Sequence, residues 1–279
     1  MILLVDIGNS RVKWTTIKSK VMADSENFPR SKTGIKMALT KAWKNLEGIT
    51  AVFVSNVAGE KPASQLTEWV EKNWQITPTF IHSEKKRFGV INAYDQPQLL
   101  GVDRWLAIAA GRQHAKNVTC VIDAGTAITV DIVTEKGVHQ GGLILPGLSL
   151  IKQMLADNTN AFSDLAEESG FKFLATNTHS AVHAGTLYAV TATLDNLITD
   201  IQQNFTSEVR FLITGGDAEQ LIELLPQALI HEPDLVLKGL ALYARQNNRR
   251  HQNTSEKESE SETTETTIEE TTALPENVN

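Results

Sequence analysis

The sequence predicts an α/β protein of two related lobes facing each other across a cleft, and three observations carry that prediction. A short acidic-glycine turn occurs twice, as Asp6-Ile7-Gly8-Asn9-Ser10 and as Asp123-Ala124-Gly125-Thr126-Ala127, each closing an apolar strand-like run. After each turn come two more strand-like runs and then helical and strand-like segments in alternation, the pattern of a sheet covered by helices. At 279 residues, 41% of them hydrophobic, the chain suits about two domains with cores of their own.

The first lobe opens as a meander: Ile2 to Ile7, a turn at Gly8-Asn9-Ser10, Val12 to Ile17, a turn at Lys18 to Lys20, then Val21 onward. Ile35, Leu39, Ala42 and Leu46 share one face of a helix over 35–46. The unbroken apolar run Ala51 to Val54 predicts a buried strand ended by Ser55-Asn56. Pro62 opens a helix whose Leu66, Trp69, Val70 and Trp74 form a single stripe. Another helix starts near Gly101 and turns Trp105, Leu106, Ile108 and Ala109 inward. The second lobe repeats the opening with Val118 to Asp123, the second turn, Ile128 to Val133, a turn at Glu135-Lys136-Gly137, and a third strand running into Gly141-Gly142-Leu143-Ile144-Leu145-Pro146-Gly147. Helices are expected at Leu148 to Asp157 and Ser180 to Phe205, a buried strand at Val209 to Thr214 closed by Gly215-Gly216-Asp217, and a last helix from about Asp234 to Gln246. The expected organisation is one lobe over 1–116, a second over 117–246, and a tail over 247–279.

The net charge of −7 belongs to that tail, because residues 253–279 hold eight Glu against Lys257 alone. Built of Ser, Thr and Glu with few large apolar residues, the tail cannot bury enough surface to offset its ordering entropy and is expected to be disordered. The remaining body is neutral and shows no basic stripe, which argues against a nucleic-acid binder. Arg245, Arg249, Arg250 and His251 read as the solvated end of the last helix. The opening apolar run stops at Asp6, too short for a signal peptide or a membrane span, and no later run is long enough. The single cysteine, Cys120, excludes an intramolecular disulfide and reads as a buried strand thiol, so a cytoplasmic location is expected. His179 and His183 stand at i and i+4, but with no third ligand apparent they read as a surface helix pair rather than a zinc site.

The repeated turn points to the chemistry. Glycine permits a tight turn and close backbone approach, Asn, Ser or Thr supplies hydrogen-bonding groups, and Asp can hold a hydrated Mg²⁺, a combination suited to polyphosphate. In Gly101-Val102-Asp103-Arg104 a carboxylate sits at a helix start, where the dipole favours its charge, beside a guanidinium whose planar fork suits a carboxylate or phosphate. Asp131 reads equally as a plain strand-end acid or a site residue. Thr178 reads as a helix cap or as part of a site.

Together, Asp6-x-Gly-Asn-Ser10, Gly101-Val-Asp-Arg104, Asp123-Ala-Gly-Thr-Ala-Ile-Thr-Val-Asp131, Gly141-Gly-Leu-Ile-Leu-Pro-Gly147 and Thr214-Gly-Gly216 resemble the type III pantothenate kinases over residues 1–246. That family belongs to the acetate and sugar kinase, Hsp70 and actin superfamily, so the resemblance implies two ribonuclease-H-like lobes with an active-site cleft between them. It implies that Asp6, Ile7, Gly8, Asn9, Ser10, Arg11, Val12 and Lys13 line the ATP phosphates, with Asp6 directed at the Mg²⁺ shell and Thr126 contacting a phosphate. It assigns Asp123 to a monovalent cation, K⁺ or NH₄⁺, and Asp103 to the base that takes the proton of the pantothenate hydroxyl. Tyr94, Gly101, Val102, Asp103 and Arg104 would bind pantothenate, and Thr178 from the partner of a homodimer would complete the pocket. Gly215-Gly216 resembles the adenine and ribose side of the cleft, or serves as a simple strand-to-helix turn. The implied activity is ATP-dependent phosphorylation of pantothenate, the first step of coenzyme A synthesis. The rivals are a superfamily kinase acting on another substrate and a non-catalytic accessory factor in transcription; the presence of Asp6 and Asp103 speaks against the latter.

Overall fold

The computed structural model describes residues 1–247 apart from 32, 115, 159–172 and 227. The first sheet is built from β1 (Ile2–Ile7), β2 (Arg11–Lys18), β3 (Val21–Met22), β4 (Glu26–Pro29), β5 (Ala51–Asn56) and β6 (Thr79–Phe80). Helices α1 (Lys36–Trp43) and α2 (Glu60–Trp74) lie between these strands in the chain. A small hairpin of β7 (Lys86–Arg87) and β8 (Val90–Ile91) and a 3₁₀ turn, Pro97–Leu99, lead into α3 (Val102–His114). The second sheet contains β9 (Val118–Ala124), β10 (Ala127–Val133), β11 (His139–Pro146), β12 (Val209–Thr214) and β13 (Ile230–His231). Its helices are α4 (Leu148–Asp157), α5 (Thr178–Asn204), the short α6 (Ala218–Ile222), and α7 over 235–247.

The two sheets share one topology. The first runs β3-β2-β1-β5-β6 with β4 also on β2, and the second runs β11-β10-β9-β12-β13. In each, the first three strands pair antiparallel as a meander and the next joins parallel to the first, with Ile2 opposite Ala51 and Val118 opposite Val209. This is the ribonuclease-H-like order that the family resemblance implied, and it repeats as the two turns suggested.

Strand periodicity explains the layers. In β1, Ile2 and Leu4 point one way while Leu3, Val5 and Ile7 point the other, and all five are buried. The outward face of the first sheet is covered by α1 and α2, where Trp43 packs edge-on to Trp14 and Trp69 and stacks on Trp74. The outward face of the second sheet, with Ile122, Ile128 and Val130, is covered by α4 and α5 through Leu148, Leu187 and Leu194. The inward faces share one core: Ile2, Leu4 and Phe53 of the first sheet and Val121, Val133 and Leu212 of the second meet Trp105 and Leu106 of α3 and Leu237 and Leu240 of α7. Thus α3 and α7 form the middle layer. They touch backbone to backbone, since a Cβ on Gly239 would lie 2.4 Å from the Leu106 carbonyl oxygen. A Cβ on Gly111 would press on Val121 at 3.0 Å, so α3 also lies flat on the second sheet.

Several details correct the sequence reading. Helix α1 is shorter than 35–46, and Trp43 takes the buried position expected of Ala42 and Leu46. Helix α2 begins at Glu60, so Pro62 is its third residue rather than its first. Edge strands β4, β6 and β13 and the β7–β8 hairpin were not expected. Residues 249–251 of the basic cluster and the tail beyond 247 lie outside the described residues. Among those described, no helix is long and apolar enough to cross a membrane.

Candidate active site

Both acidic-glycine turns lie at the same end of their sheets and meet across the cleft. The first joins β1 to β2, closed by the Gly8 amide donating to the Arg11 carbonyl at 3.0 Å. The second joins β9 to β10, where the Gly125 amide donates to the Ala127 carbonyl at 3.2 Å. Ser10 Oγ and Thr126 Oγ1 stand 2.7 Å apart, which brings the two turns into direct contact. Asn9, Ser10 and Arg11 are exposed, whereas the side chains of Ile7 and Val12 are sealed in the core, so those two can offer only backbone groups to a ligand. Lys13, the register partner of Asp6, forms an ion pair with Asp234 at 3.0 Å and ties the first hairpin to the start of α7.

Three carboxylates gather here. Burial pushes Asp6 up to about 7; the Ser55 hydroxyl alongside it pulls back, while Asp103 and Asp123 push further. Neither Asp6 Oδ1 nor Ser55 Oγ has a hydrogen-bond partner among the described residues, although both atoms are buried. Asp123 is raised to about 6 by burial and by Asp103, against Lys13. The Asp123 carboxylate has room because residue 215 is glycine with φ of +99°; a Cβ there would sit 2.6 Å from Asp123 Oδ1 and 2.2 Å from the Ala124 carbonyl. Asp103 is raised by burial, with the Arg104 amide and guanidinium opposing. Its Oδ1 accepts the Arg104 amide at 2.8 Å, and a Cβ on Gly101 would approach that oxygen to 2.6 Å. The Gly-x-Asp-Arg spelling therefore folds the carboxylate back over a glycine at the helix start.

A carboxylate oxygen buried without a partner is costly. Mg²⁺ characteristically binds through one or two carboxylates plus phosphate oxygens, and the donor set at Asp6 fits that mode. Among the described residues no cluster of three or more His, Cys, Asp or Glu is placed to hold a metal by itself.

Arg104 is engaged on one side by the protein itself. Its Nε and Nη2 donate to Asp131 Oδ2 and Oδ1 at 2.8 and 2.7 Å, so the planar fork expected to meet a substrate is filled by an internal carboxylate. Nη1 donates to the Tyr94 hydroxyl at 3.1 Å. Arg104 and Asp131 are both buried. Burial raises Asp131, but hydrogen bonds from His139 and Arg104 outweigh it and hold the carboxyl below its ordinary range. Gly142, the register partner of Asp131, leaves the space: a Cβ there would lie 2.5 Å from Asp131 Oδ1 and 2.7 Å from Arg104 Nη2. Val102 is buried and contributes backbone only. Asp131, left open by the sequence, thus holds Arg104 from beneath together with His139, a residue the sequence reading did not connect to it. A lone acid in an apolar strand opposite the Gly141-Gly142 pair was the available signal, since a buried carboxylate facing glycine calls for a cation.

Thr178 is the first residue of α5, and the cap is Asn177, whose side chain accepts the Ser180 amide at 2.9 Å; the capping role proposed for Thr178 belongs to its neighbour. Thr178 lines an open groove of about 690 Å³ between α4 and α5, walled by Ile151, Leu155, Ala181, Val182 and Ala189. None of Asp6, Asp103, Arg104 or Asp123 lines it. His183 is buried against Lys152, Nζ to Nδ1 2.8 Å, and is not the surface residue expected. Cys120 is buried as expected. Gly215-Gly216-Asp217 does lead from a strand into a helix, α6, and places Gly215 against Asp123.

A duplicated mixed sheet with acids at the facing hairpin turns is the fold of the acetate and sugar kinase, Hsp70 and actin superfamily. Solved structures agree on the fold. A conserved Baf family protein from Campylobacter jejuni, named as a transcriptional activator, matches with a TM-score of 0.54 at 21% identity over 88% of this chain and 99% of that one. A Sinorhizobium meliloti protein named as a 2-dehydro-3-deoxygalactonokinase matches with a TM-score of 0.54 at 13% identity over 88% and 98%. The family model for type III pantothenate kinase matches residues 2–200. The type III pantothenate kinase of Nitrosococcus oceani is 44% identical over 250 residues, 88% of this chain and 94% of that protein. The chain belongs to the type III pantothenate kinase family.

Proposed function

We infer that this protein transfers the γ-phosphoryl group of ATP to the terminal hydroxyl of pantothenate, the first step of coenzyme A synthesis, in the cytoplasm. The observation that supports it most is the convergence of Asp6, Asp103 and Asp123 between two hairpin turns in contact through Ser10 and Thr126. On this reading the lobes are 1–116 and 117–246. Residues 6–13 and Thr126 hold the phosphates, largely through backbone N–H groups and hydroxyls. Phosphoryl transfer asks a protein mainly for positioning and charge neutralisation, which Mg²⁺ beside Asp6 supplies when bound. Asp103 accepts the hydroxyl proton, and a carboxyl held above its ordinary range is a better acceptor for that step. Gly101, the Val102 backbone, Arg104 and Tyr94 bind the acceptor, with Arg104 offering its Nη1 side.

Asp123 binds K⁺ or NH₄⁺. Asp103 and Asp131 both raise the proton affinity of Asp123, the same negative field favours a cation beside it, and exchange of Na⁺ for K⁺ should raise turnover in the wild type but not in Asp123→Ala. Thr178 completes the acceptor pocket of a second copy. The apolar groove beside it, with exposed Met154, Leu155 and Tyr188, supports a homodimer, and light scattering of the purified protein tests it. The deciding experiment for the function is a coupled ADP-release assay with and without pantothenate, with the product identified by mass. ADP release that ignores pantothenate would sink the reading.

A further inference from the structure

His139 is a fully enclosed polar side chain near the acceptor side of the cleft and touches none of the groups that react. It is 1% exposed, so each ring nitrogen needs a partner within the protein. Asp131, held ionised, can only accept, so His139 Nε2 carries the proton it donates to Asp131 Oδ1 at 2.9 Å. The other nitrogen, Nδ1, then accepts from the Ala93 amide at 3.5 Å. The ring also lies parallel to that of Tyr94, 9° between planes and 6.3 Å between centroids. Since Arg104 bonds both Asp131 and the Tyr94 hydroxyl, the contacts close into a circuit: His139 to Asp131, Asp131 to Arg104, Arg104 to Tyr94, and Tyr94 back to His139.

We propose that His139 is a positioning residue for acceptor recognition, fixing Arg104 through Asp131 and fixing Tyr94 through ring stacking and the Ala93 amide. The inference rests on the reading of Arg104 and Tyr94 as acceptor-binding groups. Asp131 receives three hydrogen bonds; without His139 it keeps only those from Arg104, and the guanidinium is free to tilt with it. Tyr94 simultaneously loses the flat surface under its ring. Lys85 Nζ, donating to the carbonyls of Asn92 and Tyr94 at 3.2 and 3.3 Å, still holds the segment, so its loosening is local. The nucleotide side, built on Asp6, Ser10 and Thr126, shares none of these contacts.

The test is steady-state kinetics on purified His139→Ala and His139→Gln beside the wild type. Loss of a hydrogen bond to a charged group is expected to raise the pantothenate KM of His139→Ala roughly tenfold or more. Its kcat and its KM for ATP should stay within about twofold, because the missing group acts on acceptor binding alone. In His139→Gln the amide nitrogen can replace the donor to Asp131 but not the flat ring, and part of the pantothenate KM should return. An unchanged pantothenate KM in His139→Ala overturns the inference, as does a loss shared by both KM values and by thermal stability in both variants. A wild type that makes no phosphopantothenate overturns the functional reading and takes this inference with it. A fully active wild type beside an indifferent His139→Ala removes the inference alone.

Discussion

Asp103 and Asp131 show how two carboxylates on neighbouring elements acquire opposite characters. Asp131 accepts three hydrogen bonds from Arg104 and His139 and is held ionised; Asp103 accepts one backbone amide and is raised by burial. Asp103→Asn keeps the shape and the helix-start acceptor, so ATP binding and thermal stability should persist while turnover falls by about 10²-fold or more. Isothermal titration with a non-hydrolysable ATP analogue, set beside the rate assay, separates the two effects. Asp6 bears on stability. Its folded pKa, about 7, lies above its ordinary 3.8, so its contribution is fully present below the ordinary value and is lost as pH rises through about 7. Metal-free, nucleotide-free protein should therefore melt progressively lower as pH rises over that window, and Asp6→Asn should flatten the slope. Calorimetry in chelator across the window reads it directly; equal slopes would mean that Asp6 is not strained in the empty cleft.

At the scale of elements, the third strand of the second sheet carries two adjacent glycines with different reasons to be glycine. Gly141 has φ of +96° and open space around its missing Cβ, whereas a Cβ on Gly142 would meet the Val130 carbonyl at 2.1 Å as well as the Arg104–Asp131 pair. Gly142→Ala should cost about 1–3 kcal/mol through overpacking and also raise the pantothenate KM. Gly141→Ala should cost stability through backbone strain and leave that KM alone. Denaturant unfolding together with kinetics checks both. The strands that pack on two sides, β1, β5, β9 and β12, were legible as unbroken apolar runs, and the long α5 was expected within two residues of its observed bounds. The two-residue strands β6, β8 and β13 were not, because pairing at a sheet edge is decided by neighbours distant in sequence. The site divides the same way. Turn residues and the Gly-x-Asp-Arg start are local spellings, whereas His139 is joined to Asp131 and Tyr94 only by folding and carries no local mark.

For the whole molecule, the charge distribution separates the body from the end of the chain. The eight Glu and one Lys of residues 253–279 account for the entire net charge of −7. Removing everything after Gln252 should shift the isoelectric point upward and leave melting temperature and turnover almost unchanged, a combination read by isoelectric focusing, calorimetry and the coupled assay. A large loss of stability would show that these residues pack on the body.

The middle layer has a consequence for how the protein is made. Helix α7 is the last described element of the chain, yet Leu237, Leu240 and Tyr243 fill a core shared with strands β1 and β5, which are made long before it. Domains commonly fold in order of emergence, but here α3 covers only part of the first sheet's inner face and the rest waits for α7. Tyr243 makes the join specific, accepting the Trp105 indole N–H at 2.9 Å and donating to Glu84 at 2.7 Å. A chain interrupted between residues 214 and 235 would carry both large sheets and α3 yet leave their shared core open where α7 belongs, presenting apolar surface to the cell's quality control until that helix docks.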